Sequence, residues 1–159
     1  MAESSFSFSG TKEEKYQQLV PMLKALIEGE KNLTAVLGNT SAALKEAFGF
    51  FWVGFYVVNN EQLELGPFQG TVACTTIKKG RGVCGTAWET EQTQLVPDVE
   101  LFPGHIACSS ASKSEIVVPV FKNNQVVAVL DVDSDVLNDF DEIDEKYLNE
   151  VCACVGNYF

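Results

Sequence analysis

Five cysteines occur in 159 residues, and three of them, Cys74, Cys84 and Cys108, lie in glycine- and polar-rich segments near the middle of the chain. Cys108 closes the run Phe102-Pro103-Gly104-His105-Ile106-Ala107-Cys108, which also holds the only histidine. A thiol in such a place can be a nucleophile, a metal ligand or half of a disulfide. The thiolate is the reactive form, and its pKa falls near positive charge and backbone N–H groups. Gly104 permits backbone angles that turn the following N–H groups into an anion-binding nest. His105 can lower the thiol pKa, orient a partner or serve the structure alone. A buried, inert cysteine is the bland alternative. Two further thiols in similar segments open redox chemistry, which needs an attacking thiol and a resolving thiol within reach. Zinc held by Cys74, Cys84, Cys108 and His105 is the competing reading. Its ligand set is chemically acceptable, but the usual closely spaced cysteine pairs are missing. Cys152 and Cys154, two apart on an expected helix, point in different directions and read as packing residues.

Carboxylates form the second group. Asp131 and Asp133 stand in Leu130-Asp131-Val132-Asp133-Ser134, and residues two apart on a strand share a face. Behind an apolar run, such a pair can bind an ammonium group, or one member can keep a raised pKa and donate a proton. Strand-end solvation and helix capping explain the pair equally well. Glu115 opens the preceding strand; Asp98 and Glu100 alternate in the same way with less around them. Trp52, Gly54 and Tyr56 share one face of an aromatic strand, with Gly54 leaving space between the rings. That face lines a small pocket or belongs to ordinary core.

The elements that must position these groups are legible as periodicities. Residues 12–28 carry an apolar stripe at helical spacing, opened by Thr11 and Glu14 as a capping box. Pro21 predicts a kink or a break into two helices. A second helix spans about 32–47, with Gly38-Asn39 as an interruption. The pattern then changes to strands at 50–58 and 62–68 joined through Asn59-Asn60, and a short strand at 73–77. A helix at 83–90, a strand at 94–96 and an irregular stretch over 98–113 follow. Strands at 115–121 and 125–132, joined through Asn123-Asn124, precede a last helix over 139–158 with Asp139 as its cap. This order predicts an α+β domain, with helices on one face of an antiparallel sheet and loops closing over a pocket on the other.

Composition narrows the function classes. The chain reads as one domain over 1–159, with 1–10 a flexible segment that lacks the features of a secretory signal. Apolar residues make up 46% of it, enough for one core, but no run is long enough to cross a bilayer. A net charge of −11 argues against nucleic acid as a partner. The one basic cluster, Lys78-Lys79-Gly80-Arg81, reads as a solvated turn or a small anion site. An odd number of cysteines argues against a structural disulfide framework and for a cytoplasmic protein.

Taken together, FWVGFY at 51–56, LGPFQG at 65–70, VACTTI at 72–77, GRGVCGTAW at 80–88, PDVELFPGHIACSSASKSEIVVPV at 97–120 and VLDVDS at 129–134 resemble the free methionine-(R)-sulfoxide reductases, an enzyme branch of the GAF domain fold. The resemblance covers about residues 12–158, with Ala128 standing where glycine is expected. It implies that Cys108 attacks the sulfoxide sulfur of free methionine-(R)-sulfoxide and becomes a sulfenic acid. Cys74 then resolves it as a disulfide, with Cys84 as alternative or relay. By the same resemblance Glu115, Asp131 and Asp133 bind the ammonium and protonate the sulfoxide oxygen. Backbone N–H groups around Ile106, Ala107 and Cys108 take the carboxylate, and Trp52 and Tyr56 enclose the methylthio end. No cofactor is expected; thioredoxin is the external reductant, and a homodimer is possible. The rival within the fold is a non-catalytic GAF sensor of small ligands, which usually comes attached to an effector domain.

Overall fold

The structure, a computed structural model, describes residues 6–159. Thr11 opens helix α1 (Lys12–Ile27) by accepting a hydrogen bond from the Glu14 N–H. The Glu14 carboxylate accepts from the Thr11 hydroxyl rather than its N–H, so the expected capping box is half formed. The expected break at Pro21 does not occur, and α1 runs through it. Pro21 and Gln17, four residues earlier, are both exposed, so water can replace the backbone bond that proline cannot make. Helix α2 (Leu33–Phe48) starts on the Asn32 side chain, continues through Gly38-Asn39 and ends on Gly49 in the left-handed region.

Strands β1 (Trp52–Asn59) and β2 (Gln62–Gln69) form a hairpin, followed by β3 (Thr76–Lys78), helix α3 (Gly82–Thr90) and β4 (Gln94–Val96). A single 3-10 turn at Val99–Leu101 interrupts the irregular stretch. Strands β5 (Ser114–Lys122) and β6 (Gln125–Ser134) then pair across Asn123 and Asn124, both at positive φ as a tight hairpin requires. Most boundaries shift by one or two residues, and two elements start three residues later than expected. Strand β3 begins at Thr76, which leaves Cys74 in a loop. The last helix, α4 (Glu142–Gly156), is capped by Asp141 in a reciprocal box with Asp144; Asp139 instead accepts a hydrogen bond from the Ser134 hydroxyl.

The six strands are ordered β3-β2-β1-β6-β5-β4, and all neighbours are antiparallel. Alternation along each strand sends side chains to two cores. On one face α1, α2 and α4 cover Val53, Phe55, Ile116, Val118, Leu130 and Val132. On the other, α3 brings Val83, Ala87 and Trp88 against Trp52, Tyr56, Val117 and Val129. Register matters more than element order for the site. Asp133 lies opposite Trp52 on one side and Glu115 on the other, and Asp131 lies opposite Gly54 and Val117. Groups far apart in the chain are thereby set side by side.

Of the N-terminal segment, residues 1–5 lie outside the described residues, whereas Phe8 packs on the helical core and the Ser9 carbonyl accepts from the Gln18 amide. Lys12 and the Tyr16 hydroxyl both reach buried Asp144, at 2.7 and 2.6 Å, which joins α1 to α4. Among the described residues no helix is long and apolar enough to cross a membrane.

Candidate active site

A cavity opens on the face that α3 shares with the loops. Its empty volume is about 560 Å³, counting its open mouth. β1, β5 and β6 form its floor, the start of α3 one wall, and segments 71–73 and 105–112 the rim.

Cys74 and Cys108 are joined in a disulfide across this rim, with Cα atoms 5.5 Å apart and 34 residues between them in sequence. Cys108 is exposed at the cavity mouth, and Cys74 is half-buried. The four-ligand zinc set with Cys74, Cys84, Cys108 and His105 therefore does not exist in this form, because two of its sulfurs are bonded to each other. Cys84, in the first turn of α3, is buried and lines the cavity wall. Burial pushes its thiol pKa well above the ordinary value, and the charges of Asp131, Glu115 and Asp133 push it further. It stays a neutral thiol at neutral pH.

All three site carboxyls are on the floor. Glu115 and Asp131 are buried and Asp133 is half-buried. Burial raises the pKa of each. The negative charge of Asp131 raises Glu115 and Asp133 further, whereas contacts with Glu115 and Cys84 pull Asp131 partly back. Asp131 is thus the member best able to hold the negative charge, with protons on its neighbours. Its Oδ1 is buried and has no hydrogen-bond partner, the one such side-chain atom among the described residues. Leaving a buried acceptor unpaired costs about 1–3 kcal/mol, which an incoming donor recovers. Cys84, Glu115 and Asp131 also offer donor atoms within 4.8 Å of one another, the spacing of a metal-ligand set.

The His105 ring lies 3.9 Å from the Glu115 carboxylate, too far for a direct hydrogen bond. Burial lowers the His105 pKa, so the ring is neutral at pH 7.

Trp52 and Tyr56 face the cavity from β1, stacked with ring centroids 6.0 Å apart. Each uses its polar atom to hold the opposite rim. The Trp52 indole N–H donates to the Thr71 carbonyl at 3.0 Å, and the Tyr56 hydroxyl donates to the Cys74 carbonyl at 2.9 Å. The space at Gly54 does not enlarge the pocket, because a Cβ there would lie 2.2 Å from the Phe68 Cβ; Phe68 fills it and stacks on Trp52.

Of the loop expected to bind a carboxylate, Ile106 and Cys108 line the cavity, while Ala107 is exposed and does not. The Cys108 N–H donates back to the Ile106 carbonyl at 3.1 Å, so it is already engaged. The basic cluster left open between a solvated turn and a small anion site reaches the cavity through Arg81. Helix α3 begins at Gly82 without a side-chain cap, and Gly82, Val83 and Cys84 line the cavity beside Arg81, the cationic side chain on its wall. A helix N-terminus with free N–H groups favours an anion. The signal was present in Gly80-Arg81-Gly82, a basic residue between glycines at the start of a helix. Gly82, at φ +61°, also lets Ile106 come within 3.2 Å of the point where a Cβ would stand.

Comparison with known proteins fits this geometry. Residues 30–158 match the family model described as GAF domain, so fold and pocket place the chain among the GAF domains. The solved free methionine-R-sulfoxide reductase from Neisseria meningitidis, in complex with its substrate, superposes with a TM-score of 0.95 at 48% identity, over 97% of this chain and 94% of that one. The free methionine-R-sulfoxide reductase of Escherichia coli (strain K12) is 48% identical, covering 89% of this chain and 87% of its own length. GAF domain-containing protein A of Dictyostelium discoideum is 60% identical over 99% of this chain and all of its own. Within the GAF domains, the chain belongs to the free methionine-R-sulfoxide reductase family.

Proposed function

We propose that the protein reduces free L-methionine-(R)-S-oxide to L-methionine, with Cys108 as the nucleophile and Cys74 as the resolving thiol. The observation that carries this reading is the Cys74–Cys108 disulfide at the mouth of a small pocket floored by three carboxyls. A sensor that only binds a ligand has no need of that pair. The reductases of Neisseria meningitidis and Escherichia coli support the substrate class by their names.

The reduced Cys108 thiolate attacks the sulfoxide sulfur. Oxygen passes to sulfur of Cys108, giving a sulfenic acid, and methionine leaves. Glu115 and Asp133, whose pKa values burial raises, supply protons to the oxygen as its bond to the substrate breaks. Cys74 then displaces water from the sulfenic acid and forms the disulfide. Cys84 remains the alternative partner or a relay. Asp131, with its unpaired Oδ1, accepts the substrate ammonium. Arg81 and the first N–H groups of α3 take the carboxylate, together with the backbone around Ile106. Trp52 and Tyr56 hold the methylthio end. A peptide-bound methionine sulfoxide lacks both charges and would leave Asp131 buried and unpaired, which rejects it strongly. The same reading takes thioredoxin as the reductant, by thiol–disulfide exchange, without any cofactor. It places the protein in the cytoplasm and allows a homodimer.

The test is turnover coupled to thioredoxin, its reductase and NADPH, with each free methionine sulfoxide epimer supplied separately. NADPH loss is expected with the R epimer and is abolished in Cys108→Ser. No turnover of the R epimer overturns the reading, and activity surviving Cys108→Ser overturns the nucleophile.

A further inference from the structure

We propose that Cys84, Glu115 and Asp131 form a binding site for a thiophilic divalent cation such as zinc, and that a cation held there excludes the substrate. Only the second half rests on the reductase reading. The three residues come from α3, β5 and β6, all regular elements, and their donor atoms lie within 4.8 Å of one another. A tetrahedral zinc site needs one such atom from each of three protein ligands and keeps its fourth position open. That position faces the cavity, which all three residues line.

A second observation points to a ligand here independently. Asp131 is 6% exposed, and its Oδ1 is buried without any hydrogen-bond partner. Two buried carboxyls and a buried thiol thus share one end of the cavity. A divalent ion compensates the negative charge of these ligands, and its binding releases the protons on the Cys84 thiol and the Glu115 carboxyl as the metal bonds form. The sulfur ligand selects zinc, cadmium or cobalt over magnesium and calcium.

The disulfide between the other two thiols leaves the site intact. Cys84 is free while Cys74 and Cys108 are bonded to each other, so the oxidised protein retains all three ligands. Asp131 is also the group assigned to the substrate ammonium. Zinc and methionine sulfoxide then compete for one carboxylate.

The test uses the full chain in its oxidised form, freed of metal by a chelator and titrated with zinc chloride against a chromophoric zinc indicator. One zinc per chain is expected, undisturbed by excess magnesium or calcium. Cys84→Ser and Asp131→Asn should each weaken binding at least tenfold, whereas the Cys152→Ser/Cys154→Ser double variant should bind like the parent. Cobalt should give a thiolate charge-transfer band that disappears in Cys84→Ser. No saturable zinc binding, binding unchanged in both site variants, or binding lost in the double variant overturns the site. For exclusion, zinc is titrated in the presence of each methionine sulfoxide epimer; both chelate free zinc equally, so only the R epimer should weaken binding further. Equal effects overturn exclusion. If the metal-free enzyme shows no turnover of the R epimer, the reductase reading fails, and the zinc titrations still decide the site on their own.

Discussion

Tyr56 links the pocket to Cys74, the thiol proposed to resolve the sulfenic acid. Its ring is 2% exposed and its hydroxyl donates to the Cys74 carbonyl at 2.9 Å. Tyr56→Phe removes one oxygen and keeps the ring stacked on Trp52. A hydrogen bond of this kind contributes about 1 kcal/mol net, a factor of about five in the population of the conformer it holds. The Cys74 segment keeps two other tethers, from the Trp52 indole to the Thr71 carbonyl and from the Leu65 N–H to the Thr75 carbonyl. The loop is therefore loosened rather than released. Disulfide formation from the Cys108 sulfenic acid should slow about fivefold, while oxygen transfer, which uses a thiol on a different segment, should change by less than about twofold. Reduced protein is mixed with one equivalent of the R epimer without reductant and quenched at intervals. Methionine reports the first step, thiol alkylation read by mass the second, and a sulfenic acid trap the intermediate between them. Equal slowing of both steps would show that Tyr56 acts on the substrate alone. Unchanged disulfide formation would show that the hydroxyl does not position Cys74.

Two further changes probe the floor and the strand that carries the aromatics. Glu115→Gln removes a candidate proton donor and should lower kcat about a hundredfold. The same change should flatten the dependence of stability on pH. The Glu115 pKa is raised in the folded protein, so the native state holds a proton that the unfolded chain releases above about pH 4. That contribution is present below the unfolded pKa and is lost as pH rises, so the melting temperature of the parent should fall more steeply as pH rises above about 5 than that of the variant. Parallel curves would refute the shift. Gly54→Ala would place a Cβ 2.2 Å from the Phe68 Cβ and 2.8 Å from its Cα, between paired strands that cannot easily part. Overpacking of this kind costs about 1–3 kcal/mol, or roughly 2–4 °C in Tm for each kcal/mol. An unchanged Tm in a thermal melt would contradict the strand register at that position.

The sequence made the strands and helices legible because each has a clear period and its turns carry asparagine or glycine. It misled at Pro21, where exposure removes the cost of the missing bond, and at the start of α4, where Asp139 and Asp141 are both plausible caps and only tertiary contacts with Ser134 choose between them. Asp131 and Asp133 were legible as a shared face, since that follows from strand period alone. Their approach to Glu115 and Trp52 was not, because it depends on cross-strand register. For a related reason Arg81 was left between a solvated turn and a small anion site. A basic residue between glycines looks like a solvated turn until the helix that follows is seen to start against a pocket.

The same electrostatics divide labour among the thiols. Cys84 sits deep in the pocket, where burial and three carboxyls hold it protonated. Attack in thiol chemistry needs the thiolate, and so does rapid resolution. Cys108 is exposed at the mouth, outside that buried floor, with Arg81 among the residues around the cavity. A thiol there can ionise while the carboxyls below keep the protons that the departing oxygen requires. Acid groups that raised the pKa of the nucleophile would defeat the first step, so the proton donors have to reach the sulfoxide oxygen without adjoining the thiol that attacks the sulfur. The burial of Cys84 among those acids therefore argues against it as the direct resolving thiol and for Cys74, which lies half-buried on the rim beside Cys108.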